Sequence, residues 1–219
     1  MRPTMRPALG VALAVLATSS TASATDHDER VDTSYGRIDG DLSFGAGLGS
    51  AFGPRGPRAA VDLRLRYLWT AGLFVTYEDG PIWSSSAEPR RAFAAGIEIR
   101  PFFLARWANG YETGNRWLDL SIDSLGLEVG AVFVEPAGRS FGKNPGLQAG
   151  IGFQIPVLGR ATGPQIGVHM GGRWSTASLA GDTINAAGDR SAYLLLTVAW
   201  QQVFGAHIVD LGDRRDPPL

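Results

Sequence analysis

Charged side chains at alternate positions are the first candidates for chemistry. Asp62, Arg64 and Arg66 succeed one another at a spacing of two, Glu98 and Arg100 repeat that spacing, and Asp41, Glu128 and Arg173 occupy matching positions in other segments. In an extended chain such spacing places the groups on one face. Acids and guanidinium groups gathered there can either lock into ion pairs or line a narrow polar path for small solutes. Catalytic alternatives are weaker. His169 could act as a general base, but no Ser stands two residues away, where position 171 is Gly, so a Ser-His-acid set does not assemble along its segment. His27 and His207 have no partner at metal-ligand spacing beyond Asp26 and Asp28 in a polar lead-in. Gly45-Ala-Gly-Leu-Gly lacks the Lys-Ser/Thr and the helix of a phosphate loop. No enzyme, cofactor or metal is expected on these grounds.

Composition narrows the field. With 20 Lys+Arg against 21 Asp+Glu in 219 residues, and Lys143 as the single lysine, there is no basic stripe to track nucleic acid. The absence of Cys removes disulfides, thiolate metal sites and cysteine nucleophiles together. Glycine is over-represented at 29 residues without a collagen period, and only 13 Pro accompany it.

The elements that would position the charges read as strands. Arg2 and Arg6, the apolar stretch 8–16 and the small-x-small site at Ala22 and Ala24 form an export signal, with cleavage expected after Ala24. The apolar stretch is well short of the roughly 20 residues that cross a bilayer. Residues 25–36 are expected to be a flexible periplasmic lead-in, residues 37–209 the folded body and 210–219 a polar tail. Within the body, apolar and polar residues alternate from Ile38, Val61, Leu73, Phe93, Leu125, Leu147, Ile166 and Leu194 onward, which predicts eight two-faced strands. Segment 191–209 is long and uncharged enough to be considered as a spanning helix, but its alternation and Thr197, Gln201 and Gln202 favour a strand.

Two architectures use many two-faced strands: a soluble barrel with the apolar face inward and a membrane barrel with that face outward. The face opposite the apolar one interleaves charges with glycine, including Gly45, Gly47, Gly96, Gly126, Gly130, Gly150, Gly152, Gly167 and Gly171. Glycine beside Arg and Glu suits a narrow lumen filled by side chains. Aromatic residues cluster near strand ends, with Trp69, Trp107, Trp117, Trp174 and Trp200 as the expected girdle. The lumen network is expected to comprise Asp41, Asp62, Arg64, Arg66, Glu98, Arg100, Glu128 and Arg173, joined by Asp39 and Glu78. The fold class is therefore all-β, an eight-stranded antiparallel transmembrane barrel.

In these features the chain resembles the small eight-stranded outer-membrane barrels, the class of the OmpA transmembrane domain, OmpX and OmpW. The resemblance is architectural and implies outer-membrane lipid and the barrel assembly machinery as partners. It also implies that a terminal aromatic such as Phe204 closes the last strand, although that strand could run on through Ala206 and Ile208. The even strand count would put both termini in the periplasm, with loops 53–58, 79–91, 135–145 and 176–190 outside and turns 70–72, 105–116 and 159–163 within. Residues 115–124 show helical spacing and are expected as a short interfacial helix or a bulged extension of the fifth strand. The function so implied is structural or interaction-type, with a narrow small-solute pore as the alternative. A secreted soluble barrel binding an apolar ligand is the reading from outside the membrane class.

Overall fold

A computed structural model describes residues 35–53, 56–80, 91–135, 141–175, 179 and 190–206. Eight strands form a closed antiparallel barrel: β1 (Leu42–Gly53), β2 (Gly56–Tyr67), β3 (Ala71–Asp79), β4 (Arg91–Ile99), β5 (Gly126–Glu135), β6 (Gly146–Pro156), β7 (Gly163–Trp174) and β8 (Arg190–Phe204). Each strand pairs with its successor, and β1 closes on β8 with Leu42 opposite Phe204 and Phe52 opposite Leu194. Closure leaves no free sheet edge, which removes the usual hazard of unpaired strands. Segment 190–204 is a strand, and no helix among the described residues is long and apolar enough to cross a membrane.

Alternation is strict and its sense is inverted relative to a soluble domain. Along β2, Arg58, Ala60, Asp62, Arg64 and Arg66 are buried while Ala59, Val61, Leu63 and Leu65 are exposed. On the outside, Val198 is 68% exposed, Leu48 59% and Trp200 56%, whereas the charged interior is almost sealed from solvent. The glycines allow this interior in two ways. At Gly126 a side-chain carbon would stand 3.0 Å from Glu98, and at Gly152 it would meet His169 and Glu128, so these positions make room for polar groups. At the facing pair Gly96 and Gly130 it would instead run into the carbonyl of Val129 or Ala95, so these two let neighbouring backbones approach.

Several boundaries differ from the expected ones. Strand β1 begins at Leu42; residues 35–39 form turns and a bend, and Asp39 is exposed outside the lumen. Tyr35, expected in a flexible lead-in, is half-buried and donates to Asp119. Segment 53–58 is not an open loop, since Gly53 faces Gly56 across a two-residue connection. Between β4 and β5 the chain forms two helices, α1 (Pro101–Ala108) and α2 (Arg116–Asp123), where a helix over 115–124 was expected but 105–116 was read as turn. Pro101 starts α1 because its fixed φ and missing N–H suit a first helical turn. Asn115 caps α2, its side-chain oxygen accepting from the N–H groups of Trp117 at 3.1 Å and Leu118 at 3.3 Å. Strand β8 stops at Phe204, and Gly205 and Ala206 lie beyond it.

Candidate functional site

The lumen is filled in levels, and β2 sets their order. Its inward residues Arg58, Arg64 and Arg66 step from one end of the barrel toward the β2–β3 turn. At the level of Arg58, the Glu78 carboxylate accepts from Arg58 Nε at 2.9 Å and from both terminal nitrogens of Arg173, whose own Nε donates to Gln148 at 2.8 Å. At the next level Arg64 grips Asp62 through Nε at 2.7 Å and Nη2 at 3.2 Å, and its Nη1 donates to both Glu98 at 2.7 Å and Glu128 at 2.6 Å. Glu128 in turn lies 2.7 Å from His169 Nδ1. Below, Glu98 takes Arg66 Nε at 3.2 Å and Arg100 Nε at 2.6 Å, while Gln201 and Gln154 each accept from one of these arginines. A planar guanidinium suits this role because one group can satisfy several carboxylates at fixed angles.

Seven of the eight expected lumen residues therefore meet in one connected set or beside it: Asp62, Arg64, Arg66, Glu98, Arg100 and Glu128 through direct bonds, and Arg173 with Glu78 one level away. Asp41 is the correction. It precedes β1, is only half-buried, and accepts from the Ala206 N–H at the seam where β1 meets β8. Alternation assigned it to the lumen because the expected strand began too early. Arg58 was missed because its Gly-Pro-Arg-Gly-Pro-Arg context reads as a loop, although its even spacing from Asp62 could have placed it inward.

The terminus end is closed by a floor. Trp69, Phe103, Leu120, Ala161 and Val203 form an apolar cluster with Tyr35 packed on it. Trp69 was expected in the girdle but is only 3% exposed. The reason is local: Leu68 and Trp69 both take positive φ, 45° and 60°, in a turn closed by Thr70 N–H to the Tyr67 carbonyl at 3.0 Å. Such a turn normally uses Asn or Gly, and for bulky residues each left-handed position costs about 1–2 kcal/mol. Burial of the indole offsets that strain. Of the other girdle residues, Trp200 is exposed on β8 and Trp174 half-exposed on β7, while Trp107 and Trp117 are exposed on the helices rather than on strands.

Polar bonds tie α1 and α2 to this floor. Arg106 donates to Asp119 and Asp123, each at 2.6 Å, and Arg37 donates to Asp123 and to Glu112. Ser124 holds β6 through paired bonds with the Gln154 backbone at 2.8 and 2.9 Å. The acidic face of α2 is turned inward, leaving Trp117 and Leu118 outward. Burial would raise Asp119, but hydrogen bonds from the Thr113 backbone, Arg106, the Thr113 hydroxyl and Tyr35 hold it below the ordinary carboxylate value. Asp123 stands above its ordinary value because burial outweighs Arg37 and Arg106. Arg37 and Glu112 carried no sequence signal: neither lies on an alternating segment.

As chemistry, the lumen offers one acid–histidine pair, Glu128 with His169, and its Nε2 has no partner among the described residues. The register explains the meeting, since Gly126 of β5 faces Gly152 of β6, which faces His169 of β7. That imidazole is 1% exposed and lies among ion pairs. No group of three His, Cys or carboxylate side chains that could hold a metal ion occurs among the described residues. The positions Ala22 and Ala24 lie outside the described residues.

A closed eight-stranded barrel with a paired charged interior and an apolar exterior is the outer-membrane type of barrel. No family model matches the chain, and no curated protein matches it. Among solved structures it is similar to that of Acinetobacter baumannii CarO2, at 15% identity over 71% of this chain and 98% of that one, with a TM-score of 0.40.

Proposed function

We propose that the protein is an integral outer-membrane barrel with a structural or interaction role, exported through its N-terminal signal and inserted by the barrel assembly machinery. One observation carries the reading: the apolar side chains are on the outside and the ions within. Leu48, Leu73, Leu127, Val198 and Trp200 form a wall that water would leave aggregation-prone and lipid would satisfy. A soluble barrel for an apolar ligand requires the opposite lining, and the described lumen is packed with Arg, Glu, Asp and Gln. Neither catalysis nor nucleic-acid binding enters this reading, and lipid is the partner the wall fits.

Fractionation tests it. The protein should pellet with outer membranes, require detergent for extraction and migrate faster in gels unheated than boiled. Release with soluble periplasmic contents after osmotic shock would sink the proposal.

The narrow-pore alternative shares the same residues. Ion pairs spanning three levels of the lumen favour a plug, because each carboxylate is bound by at least one guanidinium group. Conductance across a planar bilayer separates the two.

A further inference from the structure

Charge is unevenly shared within the interior. On the strands Arg58, Arg64, Arg66 and Arg173, and just beyond β4 Arg100, are buried with Asp62, Glu78, Glu98 and Glu128, while the floor buries Arg37 with Asp119 and Asp123, so that buried arginines and acids among the described residues balance at six each. The shortage of acceptors is local. Glu78 serves Arg58 and Arg173, and Asp62 and Glu128 serve Arg64, so Arg66 and Arg100 depend on Glu98, which Arg64 also engages. The acids of the floor are engaged by Arg37 and Arg106. Holding two buried guanidinium groups on one shared carboxylate is costly in a dry interior.

Unpartnered donors collect at the same level. Arg66 Nη2, Arg100 Nη1, Gln201 Nε2 and Trp69 Nε1 are buried with no acceptor among the described residues. Their side chains are linked: Arg66 and Arg100 share Glu98, Gln201 accepts from Arg66, and the Arg100 guanidinium lies 5.1 Å from the Trp69 ring centre. The Ser43 hydroxyl, opposite Arg66 in the β1–β2 register, is also buried without a partner. Four of these five groups can only donate. The unpartnered groups nearer the middle differ, since Thr76, Tyr193 and Thr197 hydroxyls and His169 can also accept and so suit water. Gly45 lies beside this level: a side-chain carbon there would stand in ordinary contact, 3.9 Å from Arg64 Cβ and from Arg66 Nη1.

We propose that the lower lumen binds one monovalent anion of halide size, held by Arg66 and Arg100 with Gln201, Trp69 and Ser43 as neutral donors. One such ion sits against two guanidinium groups that share a single carboxylate and accepts from groups that no side chain serves. The site rests on the closed lumen alone and goes beyond the assignment to a membrane.

Bromide is the probe. Crystals of the detergent-solubilised protein grown with sodium bromide, measured at the bromine absorption edge, should show one anomalous peak in the lumen within hydrogen-bond reach of Arg66 and Arg100. Gln201→Glu, which supplies an internal carboxylate, should lose that peak. In solution, the wild type should unfold a few degrees higher in sodium chloride than in sodium gluconate at equal ionic strength, because an ion that binds only the folded state stabilises it. Gly45→Leu, which sets an apolar side chain beside Arg66 without changing charge, should abolish that difference and covers the case in which Gln201→Glu does not fold. The absence of a lumen peak, a peak seen only at molar bromide as an adventitious ion only, or equal unfolding in the two salts would each overturn the proposal.

Discussion

Arg64 and Glu98 meet at 2.7 Å although 34 positions separate them in the chain, and β3 lies between their strands. Through this contact the middle and lower levels of the lumen become one network, because Glu98 also takes Arg66 and Arg100. Glu98→Gln should therefore destabilise more than loss of a single pair. Removing one partner of a buried ion pair costs about 3–5 kcal/mol, and urea unfolding in detergent micelles should show a loss at or above that range. A loss below about 1 kcal/mol would show that the three arginines find other acceptors.

Conductance should be silent. The plug predicts no channel events from the wild type in planar bilayers and none from Arg64→Ala or Arg66→Ala. A wild type that is closed and becomes conductive on either substitution would instead establish the network as a gate.

Trp69 and Trp200 should report opposite surroundings. With each retained as the sole tryptophan, brominated lipid should quench Trp200, exposed on the wall, and leave Trp69, enclosed with Phe103 and Leu120, nearly unchanged. Trp69→Ala should cost about 3–5 kcal/mol as a core truncation, whereas Trp200→Ala should cost much less. Equal quenching of the two would refute this placement of the wall and floor.

Acid should loosen the floor through Asp119. Its folded value lies below the ordinary one near 3.9, so its stabilisation is complete above that value and is lost as pH falls through the lower folded value. Asp123 has the opposite sign: raised in the fold, its contribution is complete below the ordinary value and is lost as pH rises through the folded one. Amide exchange of α2 between pH 2 and about 6 measures both. Asp119→Asn should erase the acid-side loosening, and Asp123→Asn should erase the change at higher pH.

What alternation could reveal was limited to what strands enforce. A period of two dictates which side of a wall a residue faces, so Asp62, Arg64, Arg66, Glu98, Arg100, Glu128 and Arg173 were legible as a set. Which acid meets which base depends on register across strands far apart in sequence, so the bond of Glu128 to His169 carried no signal. Alternation also fails where the backbone leaves the extended region. Trp69 follows Val61, Leu63, Leu65 and Tyr67 in parity, yet two left-handed residues swing it inside. At α1, Pro101 and the spacing of Phe103 and Trp107 were available as helix signals, but the preceding strand pattern masked them.

The ladder between β1 and β8 has a consequence for the order of events in assembly. Every other strand pair joins neighbours along the chain, so hairpins can form as soon as their residues are present. The seam from Leu42–Phe204 to Phe52–Leu194 joins opposite ends of the folded body, and no earlier hairpin can substitute for it. Until the last strand arrives, both β1 and the growing front expose unsatisfied backbone groups. The final pairing is therefore a concerted latch, and the interval before it is when this chain most needs an escort.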